Sequence, residues 1–581
     1  MMGLLKRVWW CLVFPVALVA CAAGGGQTGH KVDIAAGHLE IAERPVLARH
    51  HGAVDLLYFN AKNELMLRPV SGTESLLGND GAGANARRAY AMLHTDGDAL
   101  YAVWWSKIAK EVEGIGKPGQ KLVYARVSQD RGKTFGPAQR LNDGGGAFIP
   151  GVASSGLGDV YVMYTDERSG GKELGIYMNV SHDHGVTWKA KDIQINSTES
   201  IGMSLNPIMV ADGERIYVAW MTRGVDNQFK LFVRQSNDRG EHWLDPVSAL
   251  SSSRQPDAHK LVKIGNTLLL CWLDTGEVSC NRSTDQNQSW SESFAIENST
   301  GAEGLLMETD PKGRVHLLVG KKPEGDMSRV NLFHAVAENA AEFSSLQRIS
   351  GGTPHAASTI LPVMAFGDDG SILVSWVDMR YARPVIAANY SKDGGVTWLP
   401  ENVVLAGKKG QYHFFPTVAY AGNGIYRLAW QETSNRTEPT SVIGQREFVP
   451  GSPSVSMPRP DMERLKQRVN EFWNLRTEDK YEQIYDYMDP FFREANTRKG
   501  YIRSQGLVKY YSHRITAEPT LNGITASVPL AYASEVPEVF LQGKKVAVPK
   551  QEVEISHEWI WVDGDWFQVF RDFKNGSFLP Q

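Results

Sequence analysis

The sequence predicts a mainly β chain of repeated four-stranded blades around one axis, followed by a small α+β unit. Three observations predict it. An eight-residue box recurs at 128–135 (SQDRGKTF), 181–188 (SHDHGVTW), 236–243 (SNDRGEHW), 283–290 (STDQNQSW) and 391–398 (SKDGGVTW). Its aspartates Asp130, Asp183, Asp238, Asp285 and Asp393 lie 53, 55, 47 and 108 residues apart, and a worn copy at 337–343 (AENAAEF) halves the last gap. A steady period of this length marks stacked structural repeats rather than separate domains. Ahead of the boxes, apolar β-branched runs such as 215–220 (RIYVAW) and 371–376 (SILVSW) read as buried central strands. Glycine supplies 56 of the 581 residues, above the roughly 7% average, as a chain rich in tight turns requires.

Taken in order, residues 1–21 read as an export signal. Lys6 and Arg7 precede an apolar run at 8–19, too short for a bilayer span, which needs about 20 residues. The run ends in Leu18-Val19-Ala20-Cys21, which resembles a bacterial lipobox. That resemblance implies cleavage before Cys21 and lipidation of its thiol. With no aspartate next, it also implies sorting to the outer membrane of the cell envelope. Residues 22–39 then read as a flexible, glycine-rich tether.

The repeats occupy 40–448. In each box the Asp carboxylate and Ser hydroxyl are placed to accept backbone N–H groups, Gly or Asn takes a positive φ, and the final Trp or Phe buries between blades. Ile149-Pro150, Asn206-Pro207, Leu361-Pro362 and Phe415-Pro416 each open a strand upstream. Three strands before a box and one after make an antiparallel blade. The unit at 414–448 lacks a box and is expected to complete its blade with N-terminal strands near 53–70. A β-propeller of seven blades is expected, within a range of six to eight. The shortest gap holds Cys271 and Cys280; a hairpin turning at 274–277 sets them opposite one another, and a disulfide is expected in an oxidising compartment.

The boxes resemble the Asp-box (BNR) repeats of the sialidase superfamily. In an active member, that resemblance implies three arginines clamping a substrate carboxylate, a Tyr nucleophile paired with Glu, and an Asp acid. The family sets its first arginine in Phe-Arg-Ile-Pro. Here 86–93 (ARRAYAML) puts Arg88 in that position, with the Phe, Ile and Pro replaced. Arg168, Arg223 and Arg380 are candidates for the other two, although their places just after a second strand equally suit pairing with Asp166 or Asp378. Topology adds a second argument. The residues opening each innermost strand converge on one end of the axis: Arg88, Asn206, Asp257 with His259, Glu303, His355, and Tyr412 with His413. This polar ring suits a sugar or other polar ligand, with Tyr412, Glu303 and Asp257 as candidate nucleophile, base and acid.

Residues 449–460 form a Pro/Ser-rich linker, and 461–581 a separate unit. Met462, Leu465, Val469, Phe472 and Trp473 recur at helical spacing, predicting a helix over 461–475. Tyr481, Ile484, Tyr485 and Met488 predict a second, which Pro490 helps to end. A hairpin follows at 554–571 with its turn at Asp563-Gly564. Helices followed by a curved sheet resemble the nuclear-transport-factor-two-like (SnoaL-like) α+β cone.

The formal charge of −4 argues against broad nucleic-acid binding. No phosphate loop, zinc spacing or Ser-His-Asp signature stands out, and no cofactor or metal is expected. The leading functional expectation is an envelope lipoprotein, membrane-attached through Cys21, whose propeller binds a glycan or protein partner without catalysis. The alternatives are an exo-acting glycoside hydrolase of the sialidase type and an assembly factor for an envelope complex.

Overall fold

A computed structural model describes residues 32–34, 44–572 and 576–577, apart from 51–52, 70–72, 79, 169–173, 197–202, 224–227, 253–254, 323–329, 339, 341, 352–358, 435–440 and 542–543. The expected export signal with Cys21, most of the expected tether, and His355 lie outside the described residues.

Eight antiparallel four-stranded sheets follow one another along the chain. The first runs from Val46–His50 to Ser75–Leu76 and the second from Ala86–Asp96 to Gln139–Arg140. The third to seventh open on Ala147–Ser154, Met203–Asp212, Asp257–Ile264, Ala302–Thr309 and Thr359–Phe366. The eighth combines Tyr412–Gly422, Ile425–Thr433 and Ser441–Phe448 with Val32–Ile34, setting Val32 opposite Ile443. This corrects the expected seven blades. The stretch near 53–70 builds the first sheet with Val46–His50, and the last sheet is completed by residues ahead of 40.

Every sheet shares an apolar core with the next. Leu67 meets Trp104 between the first and second, Val103 meets Val162, and Met178 meets Trp220. Tyr217 then meets Trp272, Cys271 meets Leu317, Leu318 meets Trp376, and Leu373 meets Trp430. Tyr58 and Ala419 join the eighth sheet to the first, so the sheets close into a ring. The innermost strand of each leaves one edge unpaired toward the axis, the arrangement of a propeller.

The boxes are hydrogen-bonded turns between third and fourth strands. Ser181 Oγ donates to Asp183 Oδ1 (2.7 Å) and accepts from Gly185 N (2.8 Å); Asp183 accepts Thr187 N (2.8 Å) and Thr187 Oγ1 (2.6 Å). Gly185 sits at φ +80°. Trp188 donates to Gly185 O at 3.1 Å while its ring packs on the core shared with the preceding sheet. The pattern repeats at Asp130, Asp238, Asp285 and Asp393, with Asn287 at φ +69° standing for glycine in the fourth box. In the fifth sheet Cys271 pairs opposite Cys280, and a disulfide joins them.

The innermost strands share a feature that the prolines only hinted at. Tyr90, Ile149, Asn206, Ala258, Leu361 and Phe415 all have φ between +51° and +53°, inside a register shift against the second strand. Pro150, Pro207, Pro362 and Pro416 therefore sit within their strands, one residue past the kink, rather than opening them. A bulge is where a strand tolerates a residue without an N–H.

Beyond the ring, Asp461 caps the helix Met462–Thr477, accepting from the N–H groups of Glu463 and Arg464. Pro490 does not end a helix; it starts Pro490–Ala495 at the position where its missing N–H costs nothing, with Asp489 as the cap. An antiparallel sheet of Lys509–Ile515, Thr525–Leu541, Lys544–Val562 and Asp565–Gln568 packs on the first helix through Leu465, Val469, Phe472, Trp473, Trp559 and Trp566. The connecting 449–460 is not a free tether. Val455 N donates to Val404 O of the seventh sheet (2.8 Å), and Trp561 Nε1 donates to Pro458 O (3.0 Å).

Candidate functional site at the axial mouth

The innermost strands begin on the face opposite the Asp boxes, where the ring of candidate residues was expected. The structure gives most of them internal partners. Arg88 is 2% exposed; its guanidinium forks onto Asp80 (2.5 and 3.0 Å), which also accepts Ser106 Oγ at 2.7 Å. A buried bidentate pair of this kind has no guanidinium face left for a substrate carboxylate. Arg168 is held by Asp143 (2.6 Å), Asp192 (2.6 Å) and Asp166 (3.1 Å), with Tyr177 stacked 3.6 Å beneath. Arg380 pairs with Asp378 and reaches Asn402 (3.1 Å). Arg223 ends its strand exposed, 5.7 Å from the Phe229 ring. Arg88, Arg168 and Arg380 are thus tied into separate arginine–aspartate knots, the last two through the neighbouring Asp166 and Asp378.

The expected catalytic trio is dispersed as well. Tyr412 is fully buried between Ala382 and Phe491, and its hydroxyl donates to both oxygens of Glu494 at 2.9 Å. It faces the C-terminal unit, not the channel, and this corrects its assignment as a nucleophile. Glu303 pairs with Lys322 at 2.7 Å. Asp257 is half-buried where its strand starts, opposite Leu273. His413 is 1% exposed and its Nδ1 lies 3.1 Å from Pro384 O, so it belongs to the packing of the seventh and eighth sheets. Asn206 stands in its bulge with His259 of the next sheet against its backbone. Burial holds the His259 imidazole down at about 3.

Several residues that organise this face carried no sequence signal. Arg383 lies 4.6 Å above the Tyr412 ring and pairs with Glu494 (3.3 Å) and Asp563 (3.0 Å), fastening the C-terminal unit to the propeller. Asp192 and Asp143 lie within hydrogen-bond reach of one another, each accepting the other's backbone N–H (3.1 and 3.4 Å). Burial and the facing Asp143 push the Asp192 carboxyl up to about 6. Nothing in their local sequence distinguishes these aspartates from solvated ones. Among the described residues, no group of three or more metal-ligating side chains gathers.

Residues 98–303 match the family model for a BNR repeat-like domain. The match takes in the boxes at Asp130, Asp183, Asp238 and Asp285. No curated protein matches the chain. Among solved structures, one similar fold is a polysaccharide lyase, an ulvan lyase bound to -[GlcA(1-4)Rha3S]-. It is 12% identical, covering 71% of this chain and 94% of that one, with a TM-score of 0.41. Another is the Hadza microbial sialidase Hz136, 15% identical over 68% and 73% of the two chains, TM-score 0.34. A mutant of the NanB sialidase from Streptococcus pneumoniae is 9% identical over 72% and 93%, TM-score 0.35.

Proposed function

We propose that this BNR-repeat propeller is a binding and scaffold module of the bacterial envelope, lipid-anchored through Cys21, rather than a glycosidase. One observation carries the reading: the groups placed to perform sialidase-type chemistry are consumed inside the fold. Arg88 and Arg380 are neutralised by buried aspartates and Arg168 by three carboxylates, and Tyr412 is fully buried beneath the C-terminal unit. An oxocarbenium-forming reaction needs a nucleophile and an acid that reach the same sugar ring, and a walled-in tyrosine cannot. The partner is a glycan or an envelope protein. The C-terminal unit, read as a SnoaL-like cone, adds a second interaction surface.

The test is the soluble fragment from residue 22 against a panel of fluorogenic sialosides and other glycosides, alongside glycan-array and envelope-protein capture. Capture without turnover is expected. Turnover that Tyr412→Phe abolishes while the melting temperature holds would overturn the reading. Cys21→Ser should move the protein from the membrane to the soluble fraction, and unchanged membrane attachment would refute the anchor.

A further inference from the structure

One edge of the C-terminal unit carries cations that the fold leaves unpaired. Residues 495–517 hold five Lys or Arg and no Asp or Glu, within a chain whose formal charge is −4. Arg498 is used locally, its guanidinium forked onto Asp486 (2.7 and 3.1 Å). Lys499, Arg503 and Lys509 are exposed, and none of them enters an ion pair among the described residues. Local geometry gathers them. In the helix Arg498–Arg503, Lys499, Ile502 and Arg503 stand at i, i+3 and i+4 and share one face, opposite Tyr501, which is buried in the core. The turn that follows is closed on Tyr501. Ser504 Oγ (2.7 Å) and Gln505 Nε2 (2.9 Å) both donate to Tyr501 O, and Gln505 N donates to Ile502 O (3.2 Å). Leu507 emerges from this held turn, and Lys509 enters the strand Lys509–Ile515. Ile502 is 40% exposed and Leu507 63%. Tyr511 follows, itself exposed, with the Lys550 ammonium 4.3 Å over its ring and its hydroxyl donating to Glu535 (2.6 Å).

Isolated apolar side chains are ordinary on a protein surface. Here two of them flank one ordered turn, framed by unpaired cations, with a tyrosine at the edge. That combination suits the boundary of a lipid bilayer. Apolar side chains enter the headgroup layer, lysine and arginine stems lie along it while their charges meet phosphates, and a tyrosine ring seats at the interface. A purely acidic partner would satisfy the cations and leave Ile502 and Leu507 bare.

We infer that Lys499, Ile502, Arg503, Leu507 and Lys509 form a contact surface for an anionic phospholipid bilayer. The inference rests on the reading of this chain as an envelope protein and gives its second interaction surface a partner. Each Lys or Arg beside an anionic membrane strengthens binding by about fivefold, so three of them hold the chain reversibly and do not replace an anchor.

The soluble fragment from residue 22, which carries no acyl chain, is sedimented with vesicles of equal parts phosphatidylglycerol and phosphatidylethanolamine, and separately with phosphatidylcholine vesicles. Binding to the anionic vesicles alone, weakened by raised salt, is expected. Lys499→Glu combined with Arg503→Glu should weaken it at least tenfold, and Leu507→Ser at least threefold. All three side chains are exposed, and the melting temperature checks each fold. No sedimentation, equal binding to both vesicle types, or binding indifferent to both variants would overturn the inference. So would capture on immobilised polyglutamate that matches the vesicles and survives Leu507→Ser, which assigns the surface to an acidic protein. After a salt wash the Cys21→Ser chain still leaves the membrane. Its retention sinks the lipid anchor and leaves the vesicle result standing, whereas its release without vesicle binding by the fragment sinks this surface alone.

Discussion

Asp192 shows how one side chain can set a pH dependence. Its carboxyl sits at about 6, above the ordinary carboxylate value, because it is buried beside Asp143. A raised carboxyl favours the folded state while it keeps its proton. That contribution is fully present below about pH 4 and is lost as pH rises through about 6. Melting temperatures from pH 4.5 to 7.5 should show this decline, and Asp192→Asn should flatten it, with a difference of about 1–2 kcal/mol across the window. The box aspartates act differently. Asp183 accepts from Thr187 N, Thr187 Oγ1 and Ser181 Oγ, so Asp183→Ala leaves a turn without its acceptor. A loss of about 1–2 kcal/mol in chemical unfolding is expected. These turn aspartates were legible because the box repeats. Asp80, Asp143 and Asp192 were not, since they meet their arginines only through tertiary contacts.

Among the elements, the cross-strand disulfide is the clearest case of a contact readable from spacing. Cys271 and Cys280 flank a four-residue turn, and antiparallel pairing places them opposite. Closing a loop this short removes conformational freedom from the unfolded chain, so the Cys271→Ala/Cys280→Ala variant should lose roughly 2–3 kcal/mol. Equilibrium urea unfolding with and without reductant checks it. The first sheet shows what pattern reading misses. It carries no box, so its strands at 46–76 looked like spare parts for the last blade, and only the pairing of Val32–Ile34 with Ser441–Phe448 reveals eight sheets. The kinks at Ile149, Asn206, Leu361 and Phe415 were half-visible through the prolines after them. Ala258 and Tyr90 adopt the same conformation without a following proline, driven by inner-strand geometry that no local signal records.

For the whole molecule, the decisive contact joins the ring to the C-terminal unit. Arg383 is pinned between Tyr412 and Phe491 and bridges Glu494 and Asp563. Arg383→Ala strips two partly buried carboxylates of their shared cation and should weaken the interface by about 3 kcal/mol. Calorimetry is then expected to resolve one transition for the native chain and two for the variant, and limited proteolysis should cut the variant within 449–460. A single merged transition in the variant would show that the apolar contacts of Phe491, Ile560 and Val562 hold the units together unaided.

Val32–Ile34 and Ser441–Phe448 share one sheet although some four hundred residues separate them. The circle therefore cannot shut until nearly the whole repeat region has been synthesised, and its last seam is expected to be its slowest to form, because distant pairing pays loop-closure entropy first. The same seam resists being pulled apart from either end, for the two ends hold each other. A protease that trims the amino terminus as far as residue 31 leaves the seam sewn, and one that reaches residue 35 rips it. Loss of those three residues would strip Ser441–Phe448 of its outer partner, while the core of Tyr58 and Ala419 still joins the eighth sheet to the first.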